Sequence, residues 1–313
     1  MPLPVQFLLL AVGFFLLMKG ADIFVDGSSA LADRMGIPQI VIGLTIVAFG
    51  TSAPEAAISI TAGIKGSADL AVSNVVGSNI LNVLLILGLA SVISPLAIQK
   101  NTLRYEIPFT ALITLLLLGL GVWDYSLGRW DGVIFLLIMA AFMVYLVMMS
   151  KKKAPAEADE KPAAKMPVWK IIIFIVLGGA AIIFGSQLTV NSATEIAKHF
   201  GMSERLIGLT IVAFGTSLPE LITSVTAAIK HKADIAIGNI VGSNIFNILF
   251  VLGTTAVITP VMYSKDFITD NLAALAAMVL LFVCVVKNKK LTRPGGIIML
   301  LSYAAYFVFF IIL

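Results

Sequence analysis

Charged residues are scarce in this sequence. Asp, Glu, Lys and Arg make up 12% of its 313 residues, whereas 59% are hydrophobic and the mean hydropathy is +1.04. Soluble domains carry about 25% charged residues, so this chain has too few polar side chains to cover a surface that faces water. The same composition excludes disordered and collagen-like chains. The class that remains is an all-α polytopic membrane protein.

Cysteine and histidine are nearly absent as well. The single cysteine, Cys284, cannot form an internal disulfide, which excludes a secreted disulfide scaffold. The two histidines, His199 and His231, are solitary, so the sequence offers no His/Cys ligand set for zinc or copper. Phosphate-binding loops, HExxH motifs and Ser/His/Asp arrangements are also missing. These absences argue against an ATP-driven pump or a membrane protease, and we expect neither enzymatic activity nor a cofactor.

Ten apolar runs are each long enough to cross a bilayer, for which a helix needs about 20 residues. We number them as spans 1 to 10, and they are predicted at 4–32, 38–64, 69–94, 103–123, 130–150, 168–197, 204–229, 234–259, 267–286 and 295–313. The polar stretch 151–167 has no apolar period and is predicted to be a solvated linker. It separates a first five-helix repeat, residues 1–150, from a second, residues 168–313.

Lys and Arg are unevenly distributed between the loops. The loops that follow odd-numbered spans, with the linker among them, hold 15 basic residues, and the loops that follow even-numbered spans hold 5. Because cytoplasmic loops are enriched in Lys and Arg, this bias predicts a cytoplasmic linker and both termini outside, in the cell membrane. It also accounts for the net charge of +4, so we expect no nucleic-acid partner, and no obligate protein partner is evident.

The two halves of the chain are copies of one another. The segment Ile42–Ser52 recurs letter for letter at Ile207–Ser217, an offset of 165 residues. The same offset aligns Gly20–Pro95 with Gly185–Pro260 without a gap, and 38 of the 76 aligned pairs are identical. Since each copy holds five spans, the second enters the membrane from the opposite side. Such inverted repeats are typical of secondary transporters, whose substrate sites lie near the bilayer midplane at the repeat interface.

Identity between the copies is highest at polar positions, first in Gly50–Glu55 (GTSAPE) and its copy Gly215–Glu220 (GTSLPE). A carboxylate at mid-span costs roughly 2.5–3.5 kcal/mol on insertion scales, so two at equivalent positions indicate a function rather than interhelical hydrogen bonding alone. The order Gly-Thr-Ser-x-Pro predicts that one helix ends and another begins, which frees carbonyls such as that of Ala48. Carboxylates, hydroxyls and free carbonyls are hard oxygen donors, suited to Ca²⁺ and Na⁺.

A second polar motif is Asn74–Asn82, which is repeated at Asn239–Asn247. The Asn, Ser and Asn at positions i, i+4 and i+8 of each copy share one helix face. Because the glutamates lie on the preceding span, the second and third of these side chains are ligand candidates. These candidates are Ser78, Asn82, Ser243 and Asn247. The other asparagines of the motif fit cation binding and interhelical hydrogen bonding equally well; they are Asn74, Asn79, Asn239 and Asn244.

The paired GTSAPE/GTSLPE and GSNILN/GSNIFN stretches resemble the alpha repeats of the sodium/calcium exchanger family, within the cation/calcium antiporter superfamily. Over nearly its whole length the chain is similar to the short prokaryotic members. The resemblance implies a fold in which spans 2, 3, 7 and 8 surround a central ion cavity and spans 1 and 6 slide against this core to alternate access. It also implies electrogenic exchange of three Na⁺ for one Ca²⁺.

The resemblance further implies roles for individual residues. The calcium ligands would be Glu55, Glu220, Thr51 and Thr216. The sodium ligands would be Ser52, Ser78, Ser217 and Ser243, together with the backbone carbonyls of Ala48 and Ala213. The central polar pair would be Asn82 and Asn247.

Three alternative functions stay open at this point. One is a proton-coupled or potassium-dependent antiporter, although potassium-dependent relatives place Asp at the position of Asn247, and the proton-coupled branch centres on a Gly-Asn-x-x-Glu motif that this chain lacks. A buried glutamate is a plausible proton carrier. The others are a passive cation channel and a membrane scaffold without transport.

Overall fold

A computed structural model describes residues 2–65, 69–151, 166–202, 211 and 213–312 of the chain. Within that part the protein is nearly all helix, with four two-residue strands. Eight helices are long and apolar enough to cross a membrane, and two shorter apolar helices stand where spans 7 and 10 are predicted. This confirms the all-α polytopic fold. The predicted linker lies almost wholly outside the described residues, and so does the predicted start of span 7.

The observed helices agree with the predicted spans to within a few residues at most ends. Spans 1 to 5 are Leu3–Met35, Gln39–Ile64, Leu70–Ile93, Thr102–Asp124 and Arg129–Ser150. Spans 6 and 7 are Val168–His199 and the pair Ala213–Thr216 and Leu218–Ile229. Spans 8 to 10 are Ala233–Ile258, Asp266–Val286 and Arg293–Phe309.

The helix break predicted in both repeats is present in only one of them. In span 7 the helix Ala213–Thr216 ends, Ser217 lies between, and a new helix begins at Leu218 with proline in its first turn. In span 2 the helix Ala48–Ile64 continues through the same motif with Pro54 inside it. A proline removes one helical hydrogen bond and disfavours the helix, but packing on both sides is able to hold the helix together. The prediction of a break is therefore wrong for span 2.

Departures from regular helix geometry nevertheless occur in the first repeat and are partly shared by the second. Span 2 contains a π-helical segment, Gly43–Val47, directly before the polar motif. Spans 3 and 8 contain π-helical segments at equivalent places, Leu81–Leu87 and Asn247–Leu252. π-Helical turns are rare and are frequent at functional sites. The inverted repeat thus extends to the irregular backbone beside the polar motifs.

Spans 2 and 8 pack closely at the centre of the molecule. A Cβ atom built on Gly43 would lie 3.0 Å from the Cα atom of Gly238, so only glycine permits this approach of the two backbones. Span 8 is the most buried of the candidate spans, because 94% of its apolar stretch lies inside the protein. The core of the bundle therefore includes one helix from each repeat.

Spans 1 and 6 form an antiparallel pair and contact each other far more than they contact the rest of the bundle. A Cβ atom on Gly20 would lie 2.9 Å from the backbone nitrogen of Ile182, and one on Gly178 would lie 2.8 Å from that of Phe24. Small residues thus allow the two helices to touch along their backbones. This pair is a two-helix unit at the side of the core.

Four short strands connect loops of opposite repeats. Strand β1 (Leu96–Ala97) pairs with β4 (Lys290–Leu291), and β2 (Ser126–Leu127) pairs with β3 (Val261–Met262). The loops after spans 3 and 9 therefore meet at one face, and those after spans 4 and 8 meet at another. This agrees with the two sets of loops used for the Lys and Arg count. Which face is cytoplasmic stays a prediction from that count.

Candidate cation-binding site

Polar side chains of both repeats meet inside the bundle, among spans 2, 3, 7 and 8. Glu55 is 1% exposed and Glu220 is fully buried. The serines and asparagines predicted beside them are buried too, whereas Thr216 is half-buried. The buried members of the predicted set are Thr51, Ser52, Glu55, Ser78, Asn82, Ser217, Glu220, Ser243 and Asn247.

Each glutamate is bound by a serine of the other repeat. Ser52 donates its hydroxyl proton to Glu220 Oε1 at 2.8 Å, and Ser217 donates to Glu55 Oε1 at 2.7 Å. The two bonds are equivalent under the 165-residue offset. Because they cross between the copies, neither repeat forms this arrangement alone.

Glu55 has hydrogen-bond donors on both carboxylate oxygens. Besides Ser217, the Ser78 hydroxyl donates to Oε1 at 2.9 Å, and the Asn247 amide donates to Oε2 at 2.9 Å. These donors come from spans 3, 7 and 8. Charge-assisted hydrogen bonds of this kind are roughly twice as strong as neutral ones, so the carboxylate is held in a defined orientation.

Glu220 has a hydrogen-bond donor on only one of its carboxylate oxygens in the described part of the chain. Its Oε1 accepts from Ser52, but its Oε2 has no hydrogen-bond partner among the residues that the structure describes. A buried acceptor without a partner costs about 1–3 kcal/mol, and more when it is charged.

Other buried oxygens of the predicted set share this property. Among the described residues of this set, three further buried atoms have no hydrogen-bond partner: Asn82 Oδ1, Asn247 Oδ1 and Ser243 Oγ. Carboxylate, amide and hydroxyl oxygens are the ligands preferred by Ca²⁺ and other hard cations. The described residues contain no group of three or more His, Cys, Asp or Glu that would hold a metal ion. A cation held here would depend on two carboxylates completed by neutral oxygens.

Thr51 lies at the start of the helix that carries Glu55. Its Oγ1 is 3.2 Å from the carbonyl oxygen of Ala48 and 3.0 Å from Asn239 Oδ1. The structure thus brings Thr51 and the Ala48 carbonyl together. The copies of these residues, Thr216 and Ala213, lie in the short helix before the break in span 7. The predicted roles of the two alanine carbonyls as ligands stay predictions.

A contact that the sequence interpretation missed supports the break in span 7. Pro219 has no N–H, so the carbonyl of Gly215 lacks its helical donor. The Ser186 hydroxyl of span 6 donates to that carbonyl at 3.1 Å. At the equivalent place in span 1 stands Ala21, which has no hydroxyl. The signal in the sequence is the difference between the aligned residues Ala21 and Ser186.

Two asparagines of the second motif connect neighbouring helices. Asn74 donates its amide to the Ser59 hydroxyl at 2.9 Å, and its copy Asn239 donates to Ser224 at 2.9 Å. These bonds favour the interhelical interpretation for both. The sequence interpretation missed the two serines, although both are aligned by the 165-residue offset.

Comparisons with known proteins agree with this architecture. The family model described as "Sodium/calcium exchanger protein" matches residues 5–148 and 170–312. CaxA of Alkalimonas amylolytica, whose name assigns it as an antiporter, is 42% identical over 94% of this chain and 95% of its own length. The sodium/calcium exchanger MaX1 of Methanosarcina acetivorans is 30% identical over 97% of this chain and 98% of its own.

A solved structure agrees over the same extent. The structure of the sodium-calcium exchanger NCX_Mj soaked with 10 mM Na⁺ and zero Ca²⁺ superposes with a TM-score of 0.86 at 30% identity. The superposition covers 98% of this chain and 99% of that one. Family model, relatives and fold thus agree with the inverted repeat and its paired motifs. The chain belongs to the sodium/calcium exchanger family and is a cation/Ca²⁺ antiporter of the membrane, not an enzyme.

Proposed function

We propose that this antiporter exchanges Na⁺ for Ca²⁺ by alternating access, with Glu55 and Glu220 as its charged ligands. The observation that carries the proposal is the pair of buried carboxylates, each bound by a serine of the opposite repeat. Together they carry a charge of −2, which one Ca²⁺ or two Na⁺ neutralise. A third Na⁺ leaves a charge of +1, so exchange of three Na⁺ for one Ca²⁺ is electrogenic. Competition for the shared carboxylates couples the two fluxes.

The neutral oxygens around the carboxylates complete the proposed ligand set. Thr51 and Thr216 join the glutamates at the calcium position, while serine hydroxyls and alanine carbonyls supply the flanking sodium positions. The amides of Asn82 and Asn247 supply the central polar pair. The proposed sodium ligands are Ser52, Ser78, Ser217 and Ser243, with the carbonyls of Ala48 and Ala213. Three unpartnered oxygens, on Asn82, Asn247 and Ser243, support this assignment.

Na⁺ is the ion that we propose is exchanged for Ca²⁺. MaX1 and NCX_Mj are named as sodium/calcium exchangers, and both match this chain over nearly its full length. Asn247 leaves two carboxylates in the site rather than three, which argues against a potassium requirement. We also propose the cell membrane as the location, with the linker 151–167 cytoplasmic and both termini outside. The Lys and Arg distribution supports this orientation.

The test is calcium uptake into proteoliposomes that contain the purified protein. We expect an outward Na⁺ gradient to drive Ca²⁺ uptake, and an inside-positive potential to accelerate it because net positive charge leaves. Glu55→Gln and Glu220→Gln each abolish uptake, since one Ca²⁺ then faces a single negative charge. Glu195→Gln is the matched control, because this half-exposed glutamate pairs with Lys198 at 3.8 Å and belongs to no predicted ligand set.

Other outcomes would contradict sodium coupling in distinguishable ways. Uptake that ignores Na⁺ and follows a pH gradient identifies proton coupling, and uptake that requires added K⁺ identifies the potassium-dependent type. Flux without any counter-ion identifies a channel. Uptake that survives both glutamine substitutions removes the carboxylates from the mechanism.

A further inference from the structure

Four asparagines are connected by hydrogen bonds across the interface of spans 3 and 8, in the order Asn247, Asn79, Asn244 and Asn82. Asn79 donates its amide to the backbone carbonyl of Asn244 at 3.3 Å, and Asn244 donates its amide to the backbone carbonyl of Asn79 at 3.2 Å. The two residues are copies of one another, so the pair is symmetric under the repeat. Both are buried, at 5% and 2% exposure.

The orientation of each amide in this pair follows from elementary hydrogen-bond chemistry. A backbone carbonyl can only accept, so the NH₂ group of Asn79 must face the carbonyl of Asn244. Its Oδ1 atom is therefore turned the other way, where it accepts from Asn247 Nδ2 at 3.3 Å. In the same way, Asn244 Oδ1 accepts from Asn82 Nδ2 at 3.0 Å.

The orientation is thereby transferred to the two asparagines of the cation site. Because the NH₂ group of Asn247 faces Asn79 Oδ1, the Oδ1 atom of Asn247 points away from the Asn79 side chain. Asn247 Nδ2 also donates to Glu55 Oε2 at 2.9 Å, so both acceptors of this NH₂ group keep Oδ1 on the other side of the amide. Asn82 Nδ2 is held by Asn244 Oδ1. The Oδ1 atoms of both are buried and have no hydrogen-bond partner in the described part of the chain.

We infer that Asn79 and Asn244 are positioning residues that keep the amide oxygens of Asn247 and Asn82 available to the transported cation. The inference rests on the proposed function, in which the latter two are ligands. An amide has one oxygen that binds a cation and one NH₂ group that repels it, whereas both oxygens of a carboxylate bind. Asparagine at these positions therefore needs a partner that prevents the amide from turning over.

The test is Ca²⁺ affinity in double-mutant cycles, measured by calorimetric titration of the purified protein without Na⁺. Asn79→Leu keeps the side-chain volume and removes both hydrogen bonds. We expect it to raise the Kd for Ca²⁺ by roughly tenfold or more, as loss of an outer-shell partner does at metal sites. The loss disappears when Asn247→Ala has already removed the ligand oxygen, and it persists in an Asn82→Ala background. For Asn244→Leu, the loss of affinity disappears in an Asn82→Ala background and persists in an Asn247→Ala background.

This crossed pattern separates positioning from mere helix packing. If Asn79 and Asn244 only hold spans 3 and 8 together, each substitution costs the same in every background, and the inference is overturned. It is overturned equally if neither substitution changes the Kd. Asn74→Ala is the matched control, because it removes an interhelical bond of span 3 that does not touch Asn82 or Asn247.

Two further measures separate loss of folding and loss of sodium coupling from loss of positioning. Thermal unfolding of every variant establishes that it is folded, and Asn79→Ser replaces Asn79→Leu if the latter fails to fold. Since binding is measured without Na⁺, a protein that couples Ca²⁺ to protons would still give the crossed pattern. Failure of sodium coupling in proteoliposomes and failure of this inference are therefore separate outcomes.

Discussion

Glu55 and Glu220 occupy equivalent positions in two copies of one motif, yet their surroundings differ. In the described part of the chain, Glu55 accepts three side-chain hydrogen bonds of 2.7–2.9 Å, from Ser78, Ser217 and Asn247, whereas the bond of such length to Glu220 comes from Ser52. The helix also continues through the first motif and is interrupted in the second. Nearly identical motifs therefore do not give the two repeats identical local structures.

The largest effect that tests this difference is expected from neutralising each glutamate in protein free of Na⁺ and Ca²⁺. Glu220→Gln removes a buried charge with an unpartnered oxygen, whereas Glu55→Gln weakens three charge-assisted bonds. We expect the Glu220 variant to be the more stable of the two by about 1–3 kcal/mol. Thermal unfolding in detergent with choline as the only cation measures the difference. Equal unfolding temperatures would mean that the two carboxylates have equivalent surroundings.

A smaller effect is expected at the equivalent serines of spans 3 and 8, Ser78 and Ser243. Ser78→Ala removes a 2.9 Å hydrogen bond to Glu55 and should cost about 1 kcal/mol of stability in the ion-free protein. Ser243→Ala removes a hydroxyl that has no hydrogen-bond partner among the described residues, so its cost should be close to zero. Denaturant titration of both variants measures the two costs. A larger loss for Ser243→Ala would reverse the comparison between the repeats.

The smallest effect concerns the lysines that follow spans 2 and 7. Lys230 Nζ lies 2.7 Å from carboxylate oxygens of both Asp22 and Asp26. The copies of these aspartates are the neutral Gln187 and Asn191, so the equivalent lysine, Lys65, has no such carboxylates to meet. We expect Lys230→Gln to cost below about 1 kcal/mol, because both aspartates are partly exposed. Lys65→Gln is the matched control and should cost less.

The cost of Lys230→Gln depends on pH in a direction that follows from the pKa of Lys230. Partial burial lowers this pKa, but hydrogen bonds to Asp22 and Asp26 outweigh burial and raise it above its ordinary value. The stabilisation is therefore complete below the unfolded pKa of about 10.4 and is lost as the pH rises through the raised folded value. Unfolding of both lysine variants at about pH 8 and about pH 11 measures this. A cost of Lys230→Gln, relative to Lys65→Gln, that does not decrease at the higher pH would contradict the ion pair.

Hydropathy and the repeat predict most of the fold, because a bilayer imposes a minimum length on every helix. Spans 2 and 8, for example, are predicted at 38–64 and 234–259 and observed at Gln39–Ile64 and Ala233–Ile258. Polar identity between the copies also selects side chains that the structure brings together inside the bundle. The sequence interpretation did not find Ser186, Ser59 or Ser224, because each acts by a hydrogen bond to a residue on another helix.

The helix break shows most directly where prediction from the sequence ends. The motif Gly-Thr-Ser-x-Pro-Glu is the same in both repeats, so no local rule can assign a break to one copy and a continuous helix to the other. Ser186 of span 6 supplies a hydroxyl to the Gly215 carbonyl of span 7, whereas Ala21, the aligned residue of span 1, has no hydroxyl to supply to span 2. Ser186 lies 29 residues before Gly215 along the chain.

The sequence by itself determined the membrane class, the ten spans, their inverted repetition and the two carboxylates at mid-span. These features follow from hydropathy, charge distribution and the offset of 165 residues, which are properties of the amino-acid sequence alone. Only the tertiary structure decided that Ser52 binds Glu220 and Ser217 binds Glu55, and that Asn79 and Asn244 orient the amides beside them. Those are directional contacts between distant segments, and their geometry depends on how the two repeats pack against each other.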